Sequence, residues 1–202
     1  MGAHMGWSVS AAGDLNGDGY ADVIVGAPDY TLAGRVSQGR VYVTYGSASG
    51  IAGASWISFG GLFFTEARFG VSVASAGDVN GDGYSDVIIG ARGASGGGRV
   101  TVFQGGATGL GSTTAANWST VSVQAGADHG ASVSSAGDVN GDGYSDIVLG
   151  APLYDNGETD EGVAFVHHGG TQGLASFAGW SATLSNGAGG SVVSAGDVNG
   201  DG

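Results

Sequence analysis

The chain predicts an all-β fold built of β-propeller blades, each a four-stranded antiparallel meander, about three to the chain. Three observations carry the prediction. The pattern D-x-N-G-D-G-Y-x-D stands at Asp14–Asp22, Asp78–Asp86 and Asp138–Asp146, and its opening returns at Asp197–Gly202. The first aspartates are 64, 60 and 59 residues apart, a period too long for a β-helix and a repetition that a β-sandwich would not show. Each period holds four short runs of strand character, and Trp56, Trp118 and Trp180 recur every 62 residues within the fourth.

The second repeat shows the elements most clearly. Phe69–Gly77 is a run of small and apolar residues suited to a crowded first strand. The acidic loop Asp78–Asp86 follows. Val87–Ala91 is a short β-branched run, read as a buried second strand. A glycine-rich turn leads to Arg99–Phe103, which alternates and is bounded by Gly98 and Gly105. Trp118–Val123 alternates again and makes the fourth. Elsewhere the second strands are Val23–Val25 and Ile147–Leu149, the third Arg40–Tyr45 and Val163–Val166, and the fourth begin near Trp56 and Trp180. The tryptophans read as core or inter-blade packing, with ligand stacking as the other use of such rings. No useful length shows helical period. Repeats fall at about 6–68, 69–128 and 129–188, with a partial copy at 189–202. Residues 1–5 read as an expression scar outside the fold.

Composition narrows the function. Formal charge is −13, with five Arg and no Lys. That opposes nucleic-acid binding, which needs cations to displace phosphate counterions. No apolar run reaches the 18 residues or so of a membrane span. The 44 glycines sit at repeated positions between β-branched runs, which marks tight turns rather than low complexity. Cysteine is absent, so disulfides, thiolate metal sites and cysteine nucleophiles are excluded.

Eleven of the 18 acidic residues lie in the loop copies, and three bound divalent ions would bring the net charge to −7. Ca²⁺ takes six to eight oxygen ligands in flexible geometry. In the first loop Asp14, Asn16 and Asp18 can point inward together, Tyr20 offers its backbone carbonyl, and Asp22 closes the site, with one or both oxygens. The second set is Asp78, Asn80, Asp82, Tyr84 and Asp86; the third is Asp138, Asn140, Asp142, Tyr144 and Asp146. A partial fourth set holds Asp197, Asn199 and Asp201. Mg²⁺ prefers a smaller octahedral shell, and zinc wants Cys or clustered His. An EF-hand or dockerin loop needs an acidic ligand at position 12 and flanking helices; Val25, Ile89 and Leu149 stand there, in strand-like runs. The bland alternative is acidic turns that bind nothing, at the cost of mutual carboxylate repulsion.

Phe69-Gly70, the loop Asp78–Asp86 and Gly90-Ala91 together resemble the FG-GAP repeat of integrin α-subunit propellers and related bacterial surface proteins. Gly-Ala-Pro is complete at Gly26–Pro28 and Gly150–Pro152, and Arg92 replaces its proline in the second repeat. Met5-Gly6, His129-Gly130 and Ala188-Gly189 stand where the other Phe-Gly pairs would be. The resemblance implies a calcium-binding propeller used in adhesion or recognition, placed outside the cell or on its surface.

A meander puts the 1–2 and 3–4 loops on one face and the 2–3 and 4–1 loops on the other. The second face carries the variable segments Pro28–Gln38, Arg92–Gly97 and Pro152–Glu161, where recognition of a protein or glycan partner is expected. Phe63 and Phe64 form either an exposed apolar patch or packing under their loop. Asp155, Glu158, Asp160 and Glu161 form either a further cation or basic-ligand site or a solvated acidic loop. Alternation sends His167 and His168 to opposite faces, so they do not share a metal, and His129 reads as a packed ring. No G-x-S-x-G, H-E-x-x-H or phosphate loop is present, so a non-catalytic module is expected. Alternatives are a carbohydrate-binding or carbohydrate-processing propeller domain, or a spacer from a longer array. Three blades leave open edges, so the ring is completed by homo-oligomerisation, or the chain is a fragment of a larger propeller. The spare copy at 189–202 is expected to pair into another chain's first blade, in competition with residues 6–13.

Overall fold

The computed structural model describes residues 2–51, 53, 55–59, 65–183 and 188–195. Blade 1 comprises β1 (Ser8–Gly13), β2 (Asp22–Ala27), β3 (Arg40–Thr44) and β4 (Trp56–Phe59). Blade 2 comprises β5 (Ser72–Gly77), β6 (Asp86–Ala91), β7 (Arg99–Phe103) and β8 (Trp118–Val121). Blade 3 comprises β9 (Ser132–Gly137), β10 (Asp146–Ala151), β11 (Val163–His167) and β12 (Trp180–Thr183). Each blade is one four-stranded sheet with strands in chain order, all pairs antiparallel. The all-β fold of three blades is therefore as the repeat predicts. Among the described residues the helical content is one three-residue 3₁₀ turn, Ala94–Gly96, in a 2–3 loop.

Burial follows position in the blade. The second strands sit between two neighbours and under two faces, so β6 (DVIIGA) is buried along its whole length. β3 alternates, with Val41 and Val43 buried and Arg40, Tyr42 and Thr44 partly exposed. Three strands are shorter than the sequence suggests, β3 by its last residue, Tyr45, and two others by more. β5 begins at Ser72, because Val71 donates back to the Arg68 carbonyl in a turn (3.0 Å). β8 stops at Val121, because Ser122 turns to the Gly98 carbonyl (3.1 Å) and its hydroxyl holds Gln124.

The blades join through their first strands: β1 lies against β5, and β5 against β9. Repeated polar stitches fix that contact. Ser8 Oγ donates to the Gly70 carbonyl (2.8 Å), Ser72 Oγ to Gly130 (2.8 Å) and Ser132 Oγ to Gly189 (2.7 Å). Gly70 itself has φ +83°, which favours glycine, and its N–H bonds the Gly90 carbonyl of its own blade (2.9 Å). Its carbonyl oxygen presses on Gly26 so closely that a Cβ there would overlap it. The Phe-Gly and Gly-Ala elements are thus two sides of one backbone contact between blades.

Apolar clusters fill the boundaries. Leu15, Val41, Val43, Trp56, Phe69, Val87, Phe103 and Leu110 form one cluster across blades 1 and 2. Val79, Ile88, Val102, Ile147, Leu149 and Leu174 form another across blades 2 and 3. Trp56 meets Phe103 edge-on (centroids 5.0 Å apart), and Trp118 meets His167 the same way (4.9 Å), so both are inter-blade residues. Trp180 is exposed. The 4–1 connections run beside the 2–3 loops, through Arg68 N to the Ser37 carbonyl (3.0 Å) and His129 N to Gly97 (2.9 Å). His4, expected outside the fold, contacts Asp29 through Nδ1 (2.6 Å).

Candidate metal sites

The three acidic loops have one geometry. Each starts from a bulge in the first strand, at Gly13, Gly77 and Gly137, which bends the chain into the loop. Asp14 Oδ1 then accepts the amides of Gly17 (2.7 Å) and Asp18 (3.1 Å), and Oδ2 accepts that of Gly19 (2.8 Å). Asp78 and Asp138 repeat the arrangement on Gly81, Asp82 and Gly83, and on Gly141, Asp142 and Gly143. Asn16 Nδ2 donates to Asp18 Oδ2 (3.0 Å), Asn80 to Asp82 and Asn140 to Asp142 (both 2.9 Å). The Tyr20, Tyr84 and Tyr144 amides donate to the carboxylates of Asp18, Asp82 and Asp142. Positions 1, 3, 5 and 7 are therefore brought together in every complete loop.

Position 9 does something the spacing does not reveal. Asp22, Asp86 and Asp146 are fully buried, and each carboxylate grips two backbone amides. Asp22 Oδ2 accepts Leu15 N and Oδ1 accepts Gly46 N, both at 2.8 Å. Asp86 holds Val79 N (2.9 Å) and Gly105 N (3.0 Å), and Asp146 holds Val139 N and Gly169 N (both 2.8 Å). These aspartates fasten the acidic loop to the 3–4 turn of the same blade. The repeated glycine after each third strand was the available signal: Gly46, Gly105 and Gly169 each approach the loop too closely for a Cβ.

Among the described residues, no three His, Cys, Asp or Glu side chains converge into a closed metal-ligating cluster. The donor chemistry nonetheless fits a hard cation. The loop donors are all oxygens, and a carboxylate oxygen that accepts one N–H retains a second lone pair. Electrostatics point the same way. Burial pushes Asp86 up to about 7, against the amides of Val79 and Gly105, and the charges of Asp82 and Asp78 add to the rise. Burial likewise raises Asp22, with Asp18 and Asp14 adding repulsion. Burial works against ionisation of Asp14, but the amides of Gly19, Gly17, Asp18 and Asn16 win and lower it. The Gly143 amide leads the lowering of Asp138. A cation among these groups would relieve the repulsion on the buried member.

Other candidates have plainer roles. In the acidic 2–3 loop, Asp155 Oδ1 accepts the Asp160 amide (2.8 Å) and Glu161 Oε2 the Asn156 amide (3.0 Å), so both carboxylates shape the loop. His129 is a packed ring against Phe165 (5.7 Å), and burial lowers its pKa to about 4. His167 packs on Trp118, whereas His168 Nδ1 lies 3.2 Å from Asp146 Oδ2, so the two rings do part. Phe63, Phe64, Asp197, Asn199 and Asp201 lie outside the described residues. No described helix is long and apolar enough to cross a membrane.

The FG-GAP repeat family model matches residues 5–44, 69–103 and 129–167. The chain is 36% identical to integrin alpha-PS3 of Drosophila melanogaster over 156 residues, which cover 75% of this chain and 14% of that protein. It is 37% identical to integrin alpha-5 of Xenopus laevis over 161 residues, 75% of this chain and 15% of that protein. It is 34% identical to phosphatidylinositol-glycan-specific phospholipase D of Bos taurus over 180 residues, 83% of this chain and 21% of that protein. The chain thus spans about a fifth or less of the length of these relatives.

Proposed function

Because the chain belongs to the FG-GAP repeat family, we propose that it is a non-catalytic, calcium-binding propeller segment for adhesion or ligand recognition at a cell surface or outside the cell. The observation that carries the calcium reading is the threefold loop: the side-chain oxygens at positions 1, 3 and 5 are tied into one turn in every copy, and in the first two copies neighbouring carboxylates repel the buried position-9 aspartate. Calcium would be held by Asp14, Asn16, Asp18, Tyr20 and Asp22, by Asp78, Asn80, Asp82, Tyr84 and Asp86, and by Asp138, Asn140, Asp142, Tyr144 and Asp146. Asp197, Asn199 and Asp201 supply a partial fourth set. Its role is to staple first to second strand and to neutralise the loop. The recognition reading rests on the opposite face, where the variable 2–3 loops carry the 4–1 connections.

The likeness to a phospholipase D that acts on phosphatidylinositol-glycan favours one second reading, an accessory carbohydrate-recognising propeller attached to an enzyme. Titration calorimetry with Ca²⁺, and melting with and without chelator, test the metal. A chelator that changes neither the melting temperature nor the near-UV spectrum overturns the structural role. A glycan array beside a cell-surface protein screen separates the two recognition readings.

A further inference from the structure

The two ends of the blade stack expose the two halves of a contact that the chain makes twice internally. At the first boundary Leu15, from the acidic loop of blade 1, shares an apolar cluster with Leu110, from the 3–4 turn of blade 2; they are 0% and 5% exposed. At the second boundary Val79 and Leu174 do the same, at 1% and 7%. The corresponding residues at the free ends are Val139 and Ile51, and they are 55% and 62% exposed. The backbone repeats the pattern. Ser85 N donates to Asp14 O (2.9 Å) and Gly106 N to Leu15 O (3.0 Å), and Ser145 and Gly170 treat Asp78 and Val79 alike. The matching end groups are the carbonyls of Asp138 and Val139 on blade 3 and the amides of Ala21 and Ser47 on blade 1.

The aromatic rings agree. Tyr84 covers Gly17 and Tyr144 covers Gly81, but open space lies over Gly141, while Tyr20 of blade 1 is exposed. Trp180 is likewise exposed where Trp56 and Trp118 each pack on the next blade.

We propose that blade 3 of one chain docks head to tail on blade 1 of a second copy, in the register of the internal boundaries. Val139 then meets Ile51 of the second copy, Trp180 its Thr44, and Gly141 its Tyr20. Such a heterologous contact forms a ring where the rotation closes, and two copies supply six blades, inside the usual four to eight. Residues 188–195 set out along the rank of a next first strand: Ala188 pairs with Gly162, and Ser132 holds Gly189. In the assembly that rank is also claimed by Ser8–Gly13 of the second copy, and one of the two vacates it. The loop and turn contacts named above are the same in either case.

Sedimentation velocity of the 202-residue chain tests the proposal, together with Ile51→Lys and Val139→Lys. Both positions are exposed in the single chain, so each variant retains its far-UV spectrum. The expected result is a mass of twice 19.5 kDa, or a higher whole multiple, with the dissociation constant raised about tenfold or more by each substitution. Mixing the two variants restores a dimer, because one boundary in the mixed pair is free of lysine. A monomer at every concentration, assembly indifferent to both substitutions, or no recovery on mixing overturns it.

Discussion

Gly90 lies beneath the carbonyl oxygen of Gly130, with no room for a Cβ between them. The contact joins a second strand to the blade that follows, and both partners are backbone, so neither side can yield cheaply. Gly90→Ala is therefore expected to lower stability by about 2–4 kcal/mol, read as a shift in urea midpoint. Gly111→Ala, which would meet open space, is the control and should stay within about 0.5 kcal/mol.

His129 occupies the motif phenylalanine position, and its buried ring titrates near 4 rather than at the ordinary 6.5. Above pH 6.5 both folded and unfolded forms are neutral, so protonation of the ring takes nothing from stability. Between 6.5 and about 4 the unfolded chain takes the proton first, so stability falls as pH falls. His129→Phe should flatten that part of the stability profile, by up to about 3 kcal/mol at its acid end. Parallel slopes for the two proteins would contradict the assignment.

Asp82→Asn removes a loop carboxylate without touching the buried grip of Asp86 on Val79 and Gly105. On the calcium reading, calorimetry should lose one of three binding events. The calcium-saturated melting temperature should fall by about 5–10 °C, while that in chelator hardly moves. Equal losses in both conditions would assign Asp82 to the fold alone.

Trp56→Ala and Trp180→Ala alter equivalent positions in different surroundings. Trp56 is buried against Phe103, and truncation should cost about 3–5 kcal/mol. Trp180 is exposed, so truncation should cost under about 1 kcal/mol in an isolated chain. Urea titrations at low protein concentration compare them.

The sequence was most legible where repetition isolates one physical demand. Three copies of an acidic nonapeptide located the loops, and β-branched runs located the second strands, because burial on all sides leaves little choice of residue. It was least legible where one residue serves two neighbours. Asp86 reads as a ligand from its spacing, yet its carboxylate also holds two amides, one of them 19 residues away. Ser8, Ser72 and Ser132 look like small strand residues, and only the packed blades show that each donates across a boundary. Trp180 shares the 62-residue spacing of its counterparts but not their burial, since burial there depends on what stands beside blade 3.

The serine stitches have a consequence for how the molecule comes apart. Each boundary repeats the same coupling, so stability is close to a sum over blades and nearest-neighbour terms. Blade 2 has two such neighbours, and each outer blade has one. Opening therefore begins at the ends, and amide exchange is slowest in β6 and β7, whatever the intrinsic merit of each blade's sequence. A closed ring has no ends, so in that state the three blades would exchange in step.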